Sequence, residues 1–465
     1  MTTIDVQRIS DLAEEVAGEV CLPGSPGYDE ACSLWNGAID RRPAVVVRCV
    51  TPEDVVAALG FARSLGLEVS VRGGGHGYAG FALSDGGLTI DLTPMRTVEV
   101  LPLDKRVIAA GGATWGDVDA ATQEFGLAVP GGFISHTGIG GLSLGGGLGW
   151  LSRLAGLSCD NLVEAQVVTA DGRILRTSED ENPDLFWALR GGGGNFGVVT
   201  SFTFRLTAVG PIVQMGMFFV GLEHGVDLMR FARELNHDLP DDVATFIGGL
   251  NAPPEPFVPE AVQFQPGYAF AIVGLGDAAM HAALVERARG ALDTLFELVT
   301  PMPYVALQQM FNDSAPWGIL AYEKAVYLEE LTDAAIEVIA HHIPLKSSPM
   351  SLMPMFCLGG AYSRVPEDAV AFGGSRSIRY VVNIDASSPD PQTLAVDTAW
   401  VRAFWNDLLP HSVGIGGYVN FMAEYEADRV RQAYGPAKFA RLQQIKATYD
   451  PDNVFHLNAN IPPSA

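Results

Sequence analysis

Arg72-Gly73-Gly74-Gly75-His76-Gly77 decides how this chain of 465 residues is read. A short β-branched run, Val69-Ser70-Val71, precedes it, so a strand delivers it. Four glycines around one histidine set bare backbone N–H groups against something anionic and leave a nucleophilic ring beside it. That combination fits a diphosphate-bearing cofactor held by main chain and reached by one imidazole. A second segment, Pro130 to Trp150, carries nine glycines in twenty-one residues, interleaved with Ser135, His136, Thr137 and Ser143. Such a backbone wraps a planar or phosphorylated ligand; a set of tight turns is the competing reading.

The composition narrows the class. Glycine stands at 52 residues without a collagen-like period, above the usual ~7%. The excess is clustered in loops. The net charge of −25 argues against nucleic acid and against anionic membrane surfaces as partners. No apolar run approaches the ~18 residues of a membrane span. Residues 1–20 are polar and acidic, with neither a basic nor an apolar leader region, so the expectation is a cytoplasmic protein. The cysteines (Cys21, Cys32, Cys49, Cys159, Cys357) are odd in number and widely spaced, and no C-x-x-C occurs. The histidines are scattered, with His341-His342 on an expected helix, so no metal site is expected.

Along the chain, Thr51 reads as the N-cap of a helix over 51–65, with Pro52 at N1, acidic Glu53 and Asp54 in the first turn and Gly66 as the stop. Strands are expected at 69–71, 88–92 and 107–110, a helix from Thr114 to about Phe125, and a loop over 130–149. Glu164–Thr169 and Arg173–Arg176 flank Asp171-Gly172 as a hairpin. A short helix follows Asn182-Pro183, and Val198–Leu206 alternates as a strand. From about 207 the glycine clusters thin. Strands at 243–250, 264–274, 350–357 and 376–385 alternate with helices at 226–238, 278–295, 332–342 and 392–408. The expectation there is an α+β unit on a mainly antiparallel sheet. A helix over 436–448 and an extended tail, 453–463, close the chain.

Gly75-x-Gly77-x-x-Gly80 and Gly192-x-Gly194-x-x-Gly197 both match the dinucleotide pattern, but neither opens a helix after a strand. No G-x-x-x-x-G-K-[ST] occurs, so a P-loop is excluded at motif level.

The whole set resembles a known family. R-G-G-G-H at 72–76 is joined by G-x-G-G-x-x-L-G-G-G-x-G-W ending at Trp150, Gly156-Leu157 before Asp160-Asn161, and the run Asn182 to Val199. Near the C-terminus stand Tyr418-Val419-Asn420 and Tyr449 to Phe455. Together these are similar to FAD-linked oxidases of the berberine bridge enzyme type, in the vanillyl-alcohol oxidase (PCMH-type) superfamily. The resemblance implies an α+β fold: an FAD-binding domain from residues 1–205 completed by 421–465, with a substrate domain over 206–420.

It also implies roles. His76 would bond FAD covalently. Where many members carry a second, cysteinyl tether, this chain has Ile134, so a single histidyl link is expected; Cys159 lies too far along to substitute. Arg72, Gly73, Gly74, Gly75, Gly77, Ser135, His136, Thr137, Gly140, Gly141, Gly145, Gly149, Gly197, Val199, Tyr418, Asn420 and Asn458 would contact the cofactor. Thr137 occupies the position that governs oxygen access, with a loop-satisfying hydroxyl as the alternative. Tyr418 is the candidate base, provided cations or hydrogen bonds lower its pKa from ~10; an anchoring phenol is the alternative. His136 is a second candidate base or a loop hydrogen-bonding residue. Tyr322, Glu323, Tyr380 and Trp317 are candidates for the substrate face, and 349–356 for either an apolar pocket wall or an ordinary buried strand.

The expected activity is oxidation of an alcohol, or a similar hydride donor, of a small natural-product-like molecule, with O2 as acceptor. Alternatives are a dehydrogenase with another acceptor, a carbohydrate oxidase, and a flavin-binding protein without turnover.

Overall fold

Thr51 caps the helix Pro52–Leu65 through a reciprocal box with Asp54, and Gly66 ends it at φ +62°, as its sequence signals require. That helix lies against a four-stranded sheet ordered Glu19–Cys21, Val45–Arg48, Leu88–Asp91, Val69–Arg72. The last three strands run parallel, and the final one releases the chain into the 72–77 loop. The computed structural model describes residues 4–414 and 417–464; residues 1–3, 415–416 and 465 of the expected domains lie outside them.

A second, antiparallel sheet is ordered Val98–Leu101, Arg106–Ala110, Val198–Arg205, Leu162–Val168, Ile174–Thr177. Its last two strands form the hairpin read from Asp171-Gly172. The helices Trp115–Gln123 and Pro183–Leu189 also stand where their caps place them.

A seven-stranded antiparallel sheet follows, in the order Phe296–Pro303, Ile212–Gly221, Pro266–Gly274, Val243–Asn251, Met353–Cys357, Tyr380–Ser388, Leu320–Leu328. Alternation assigns its faces. Val243, Ile247, Tyr380, Val382, Val326 and Leu328 pack under the helices Gly225–Asn236, Ala278–Ala291, Asp333–His342 and Pro391–Leu408. Ala244, Phe246, Phe356, Val381 and Tyr327 turn the other way, onto Leu148, Trp150 and Tyr418. The sheet is thus clad with helices on one side and closed on the glycine loops on the other.

Several expectations need correction. Six strands of these sheets (19–21, 45–48, 98–101, 212–221, 296–303, 320–328) were not foreseen. The helix expected over 278–295 ends at Ala291, and the strand expected from 376 begins at Tyr380. The 130–149 segment contains a helix, Ile139–Gly145, because packing overrides glycine's low helix propensity. The C-terminal helix starts earlier, at Ala427, and bends at Gly435, φ +71°.

The tail is tied into the first half of the chain. Lys446, fully buried, donates to Asn195 O (2.7 Å), Asp450 Oδ2 (2.6 Å) and Phe455 O (2.9 Å). Ile445, Ala459 and Ile461 share a core with Val167, Phe196 and Phe202. Among the described residues, no helix is long and apolar enough to cross a membrane, and no group of three His, Cys, Asp or Glu could hold a metal ion.

Candidate cofactor and substrate site

The two glycine loops meet backbone to backbone. A Cβ on Gly74 would lie 2.2 Å from the Gly138 nitrogen, and one on Gly138 would lie 2.3 Å from the Gly74 nitrogen, so only glycine fits on either side. Among the described residues, no protein acceptor takes the amide N–H of Gly73, Gly74, Gly75, His76 or Gly77, or of Gly140 and Gly141 at the uncapped start of helix Ile139–Gly145. Unpaired amides are costly unless something accepts from them. A run of such donors beside a helix N-terminus forms an anion-binding nest. Gly77 and Gly141 are exposed, with open space where a Cβ would stand. These features fit the diphosphate and planar ring system of FAD.

Arg72 has protein partners on two of its three nitrogens, and its buried Nε has none. It is buried, and donates to Asp91 Oδ2 (3.3 Å) and Ser33 O (3.0 Å). In these bonds it anchors the loop. Gly145 lets Asn420 approach, since a Cβ there would sit 2.1 Å from Asn420 Oδ1. Asn420 in turn donates to Leu142 O (3.0 Å). Ser135 is held by Asn312 through both its N–H (3.0 Å) and its hydroxyl (2.8 Å). Gly140 abuts Gly111 O, Gly149 abuts Gly131 O, and Gly197 sits at φ +150° against Val167. Val199 is a buried strand residue paired with Val167. Packing explains the positions of Gly149, Gly197 and Val199, while Gly140 is close-packed and also presents an unpaired amide. Asn458 donates to Phe455 O (3.2 Å) and leaves its buried Oδ1 without a donor.

His76 Nε2 lies 2.6 Å from His136 Nδ1. The His76 ring stacks on Trp35 at 5.2 Å and meets the edge of Trp317 at 5.8 Å. Burial, reinforced by the neighbouring His136, pulls His76 down to about 3, and burial lowers His136 as well. Both rings are therefore neutral near pH 7. The pair can share one N–H, and if His76 Nε2 donates it, His76 Nδ1 keeps its lone pair. Thr137 donates its N–H to Ile134 O, and its carbonyl accepts from Trp115 N.

Tyr418 departs from expectation. Its oxygen accepts from Gly147 N (2.6 Å) and Asn420 Nδ2 (2.9 Å), yet burial outweighs both and raises the phenol's pKa. Its pKa is not lowered and, unlike Tyr78, it has no carboxylate among the described residues within hydrogen-bond reach to take its proton. Among the substrate-face candidates, Tyr322 and Tyr380 point to the helix side of the sheet, where Tyr322 bonds Glu424 and Arg402. Trp317 does stand beside both histidines. The 349–356 segment divides: Met353 and Met355 enter the helix-side core, while Phe356 faces the loops and stacks on Phe133 at 4.5 Å.

Glu323 is on the loop-facing side, in a polar group that sequence reasoning did not assemble. Asp385 is buried and accepts from Tyr78 Oη (2.6 Å) and Ser387 Oγ (2.5 Å). Asn383 donates to Glu323 Oε2 (2.9 Å). Tyr78 lies two residues after His76 and packs edge-on against Trp35 at 4.9 Å. Asn36 holds Tyr78 O (2.9 Å) and Ala321 O (3.0 Å) together. The polar trio thus adjoins the histidine loop. On the same face, half-buried Phe133, Phe311 and Phe421 add an apolar flank.

Residues 43–178 match the family model of an FAD binding domain, and residues 417–462 match that described as berberine and berberine like. An FAD-linked oxidoreductase of Dictyostelium discoideum is 30% identical over 98% of this chain and 97% of its own length. The (R)-6-hydroxynicotine oxidase of Paenarthrobacter nicotinovorans is 30% identical over 96% and 97%. Among solved structures, 6-hydroxy-D-nicotine oxidase of Arthrobacter nicotinovorans superposes with a TM-score of 0.84 at 26% identity, covering 97% of this chain and 98% of that one.

Proposed function

The chain belongs to the FAD-linked oxidoreductases of the berberine-bridge type, and from that premise we propose an oxidase that carries FAD on His76 and oxidises a carbinol or similar hydride donor of a small, largely apolar molecule. The observation that carries the reading is the run of unpaired amides over 73–77 meeting the 138–141 helix start, with a neutral histidine inside it. Residues 1–205 and 421–465 are read as the FAD domain and 206–420 as the substrate domain.

FAD held there would supply a hydride acceptor at N5 and a route for the electrons to O2. The chain supplies the rest. The amides of 73–77 and 140–141 would hold the diphosphate. His136 orients His76 so that Nδ1 is the free nucleophile. Proton removal is assigned to Tyr78 and Asp385: as the hydride leaves, the substrate's proton passes to Tyr78 Oη and the Tyr78 proton to Asp385. Tyr418, buried and fixed by Gly147 and Asn420, supports the second loop instead. Thr137 is assigned the tuning of oxygen access. Phe133, Phe311 and Phe421 receive the apolar body of the substrate. Both (R)-6-hydroxynicotine oxidase and oligosaccharide oxidases are relatives or structural neighbours; the aromatic flank favours a ring-bearing substrate over a sugar chain.

Acid precipitation tests the tether. Yellow colour retained in the pellet, and lost from it in His76→Ala, is the expected result. Colour wholly in the supernatant of the unaltered protein overturns the covalent assignment. Turnover that requires a dye in place of O2 would make the protein a dehydrogenase.

A further inference from the structure

Glu323 and Asp385 are direct partners across adjacent strands, with both side chains on the face turned to the glycine loops. Glu323 is fully buried and Asp385 is 5% exposed. Like charges at a cross-strand pair repel, and burying two carboxylates without a cation is prohibitive. Among the described residues neither forms an ion pair with Lys, Arg or His: Lys324 points to the opposite face and pairs with Glu424. The pair must hold a proton.

The hydrogen bonds say which member holds it. Asp385 receives an O–H on each oxygen, from Tyr78 and from Ser387, as an ionised group wants. Glu323 receives a single donor, Asn383 Nδ2 on Oε2, and its Oε1 has none. Asn383 Oδ1 is also buried without a donor. Opposite Asn383 stands the small Ala325, and Glu323 lies diagonally across. Two acceptors lacking a donor thus sit on two side chains already joined by one hydrogen bond. A proton on Glu323 Oε1, donated to Asn383 Oδ1, satisfies both and closes a cyclic acid–amide pair.

We infer that Glu323 is kept as the neutral acid, locked to Asn383, and that this leaves Asp385 as the single carboxylate of the substrate face. The inference rests on the reading above that this face receives the substrate. The other titratable groups near the pair are the phenols of Tyr78 and Tyr425, both raised by burial and neutral. Burial first, and the Asp385 charge second, hold Glu323 well above the carboxylate range; Asp385 rises only to about 6, with Ser387 and Tyr78 opposing its burial. Two carboxyl groups in one site thus take separate roles because their surroundings differ. Glu323 is a positioning residue: it fixes Asn383 and spares Asp385 a second negative neighbour that would push its pKa out of working range.

The test is infrared difference spectroscopy on the flavin-loaded protein at neutral pH. Unaltered protein minus Glu323→Gln should show the C=O stretch of an un-ionised carboxylic acid, and unaltered protein minus Asp385→Asn should not. Gln is isosteric with the neutral acid, so Glu323→Gln should fold, load flavin and equal the parent's melting temperature in mild acid. It should exceed the parent in alkali, where the parent bears the cost of keeping Glu323 protonated or of ionising it in place. Absence of the acid band, its loss in Asp385→Asn as well, or a Glu323→Gln protein that fails to fold would overturn the inference. None of these readouts needs turnover, so they stand apart from the fate of the oxidase reading.

Discussion

Asp385→Asn should make the protein more stable and less active at once. Burial pushes this carboxyl from 3.8 up to about 6. Two pKa units correspond to roughly 3 kcal/mol by which the folded state disfavours the ionised form. The sign follows from linkage. Below 3.8 the group is protonated in both folded and unfolded chains and there is no penalty. As pH climbs through 6 the folded protein ionises it against its surroundings, and the penalty is fully present above that point. Asn resembles the protonated form and escapes the penalty, though one of the two O–H bonds from Tyr78 and Ser387 must rearrange, at about 1 kcal/mol. Relative to its parent, the variant should therefore be slightly weaker near pH 4 and about 2 kcal/mol stronger near pH 8. Glu323 stays un-ionised in both proteins, since burial is the first cause of its raised pKa. Paired melting curves at the two pH values measure this. Stopped-flow flavin reduction, with whichever carbinol or amine bleaches the parent, should fall by ~10²–10⁴. A stability difference that does not change with pH, or a reduction rate within about tenfold of the parent, would refute the assignment.

Four further outcomes are expected. His136→Ala should slow covalent flavin incorporation, read as the fraction of colour surviving acid precipitation, because His76 loses the partner that fixes its tautomer; unchanged incorporation removes His136 from that role. Lys446→Met should destabilise by about 3–5 kcal/mol, since it breaks a fully buried ion pair; urea titration checks this, and a loss under about 1 kcal/mol would contradict the anchoring role. Tyr418→Phe should leave the flavin-reduction rate within about tenfold, because its phenol only accepts hydrogen bonds; a larger loss restores Tyr418 as the base. Thr137→Val should alter reoxidation by O2 without altering reduction, and an unchanged reoxidation rate ends its proposed part.

Local signals placed the capped helices and the hairpin of the first two hundred residues, while the strands 19–21, 45–48 and 98–101 and the helix 139–145 carry weaker ones and went unread. Thr51, Pro52, Asp54 and Gly66 each serve the backbone role their chemistry favours, and Asp171-Gly172 turns its hairpin. The larger sheet was harder to read. Phe296–Pro303 holds Pro301 and Pro303, which read as a break but sit on an edge strand, where a missing N–H is tolerated. Ile212–Gly221 is a strand buried on both faces and shows little alternation. Leu320–Leu328 carries Glu323 and Lys324 side by side, two charges that interrupt the apolar pattern of a strand and are buried on opposite faces.

By itself the sequence determined the glycine loops, the histidine within them and the family they belong to, because these depend on residue types at short spacing: no Cβ where backbones meet, one imidazole in the run. It could not assemble Tyr78, Glu323, Asn383 and Asp385, although the polar set at 383, 385 and 387 inside an apolar strand was a visible sign. Their meeting depends on strand register and on the Asn36 bridge between distant segments. The difference between the two carboxyls, in burial and in the donors each oxygen receives, was decided only by the tertiary structure, because both follow from where the register places them.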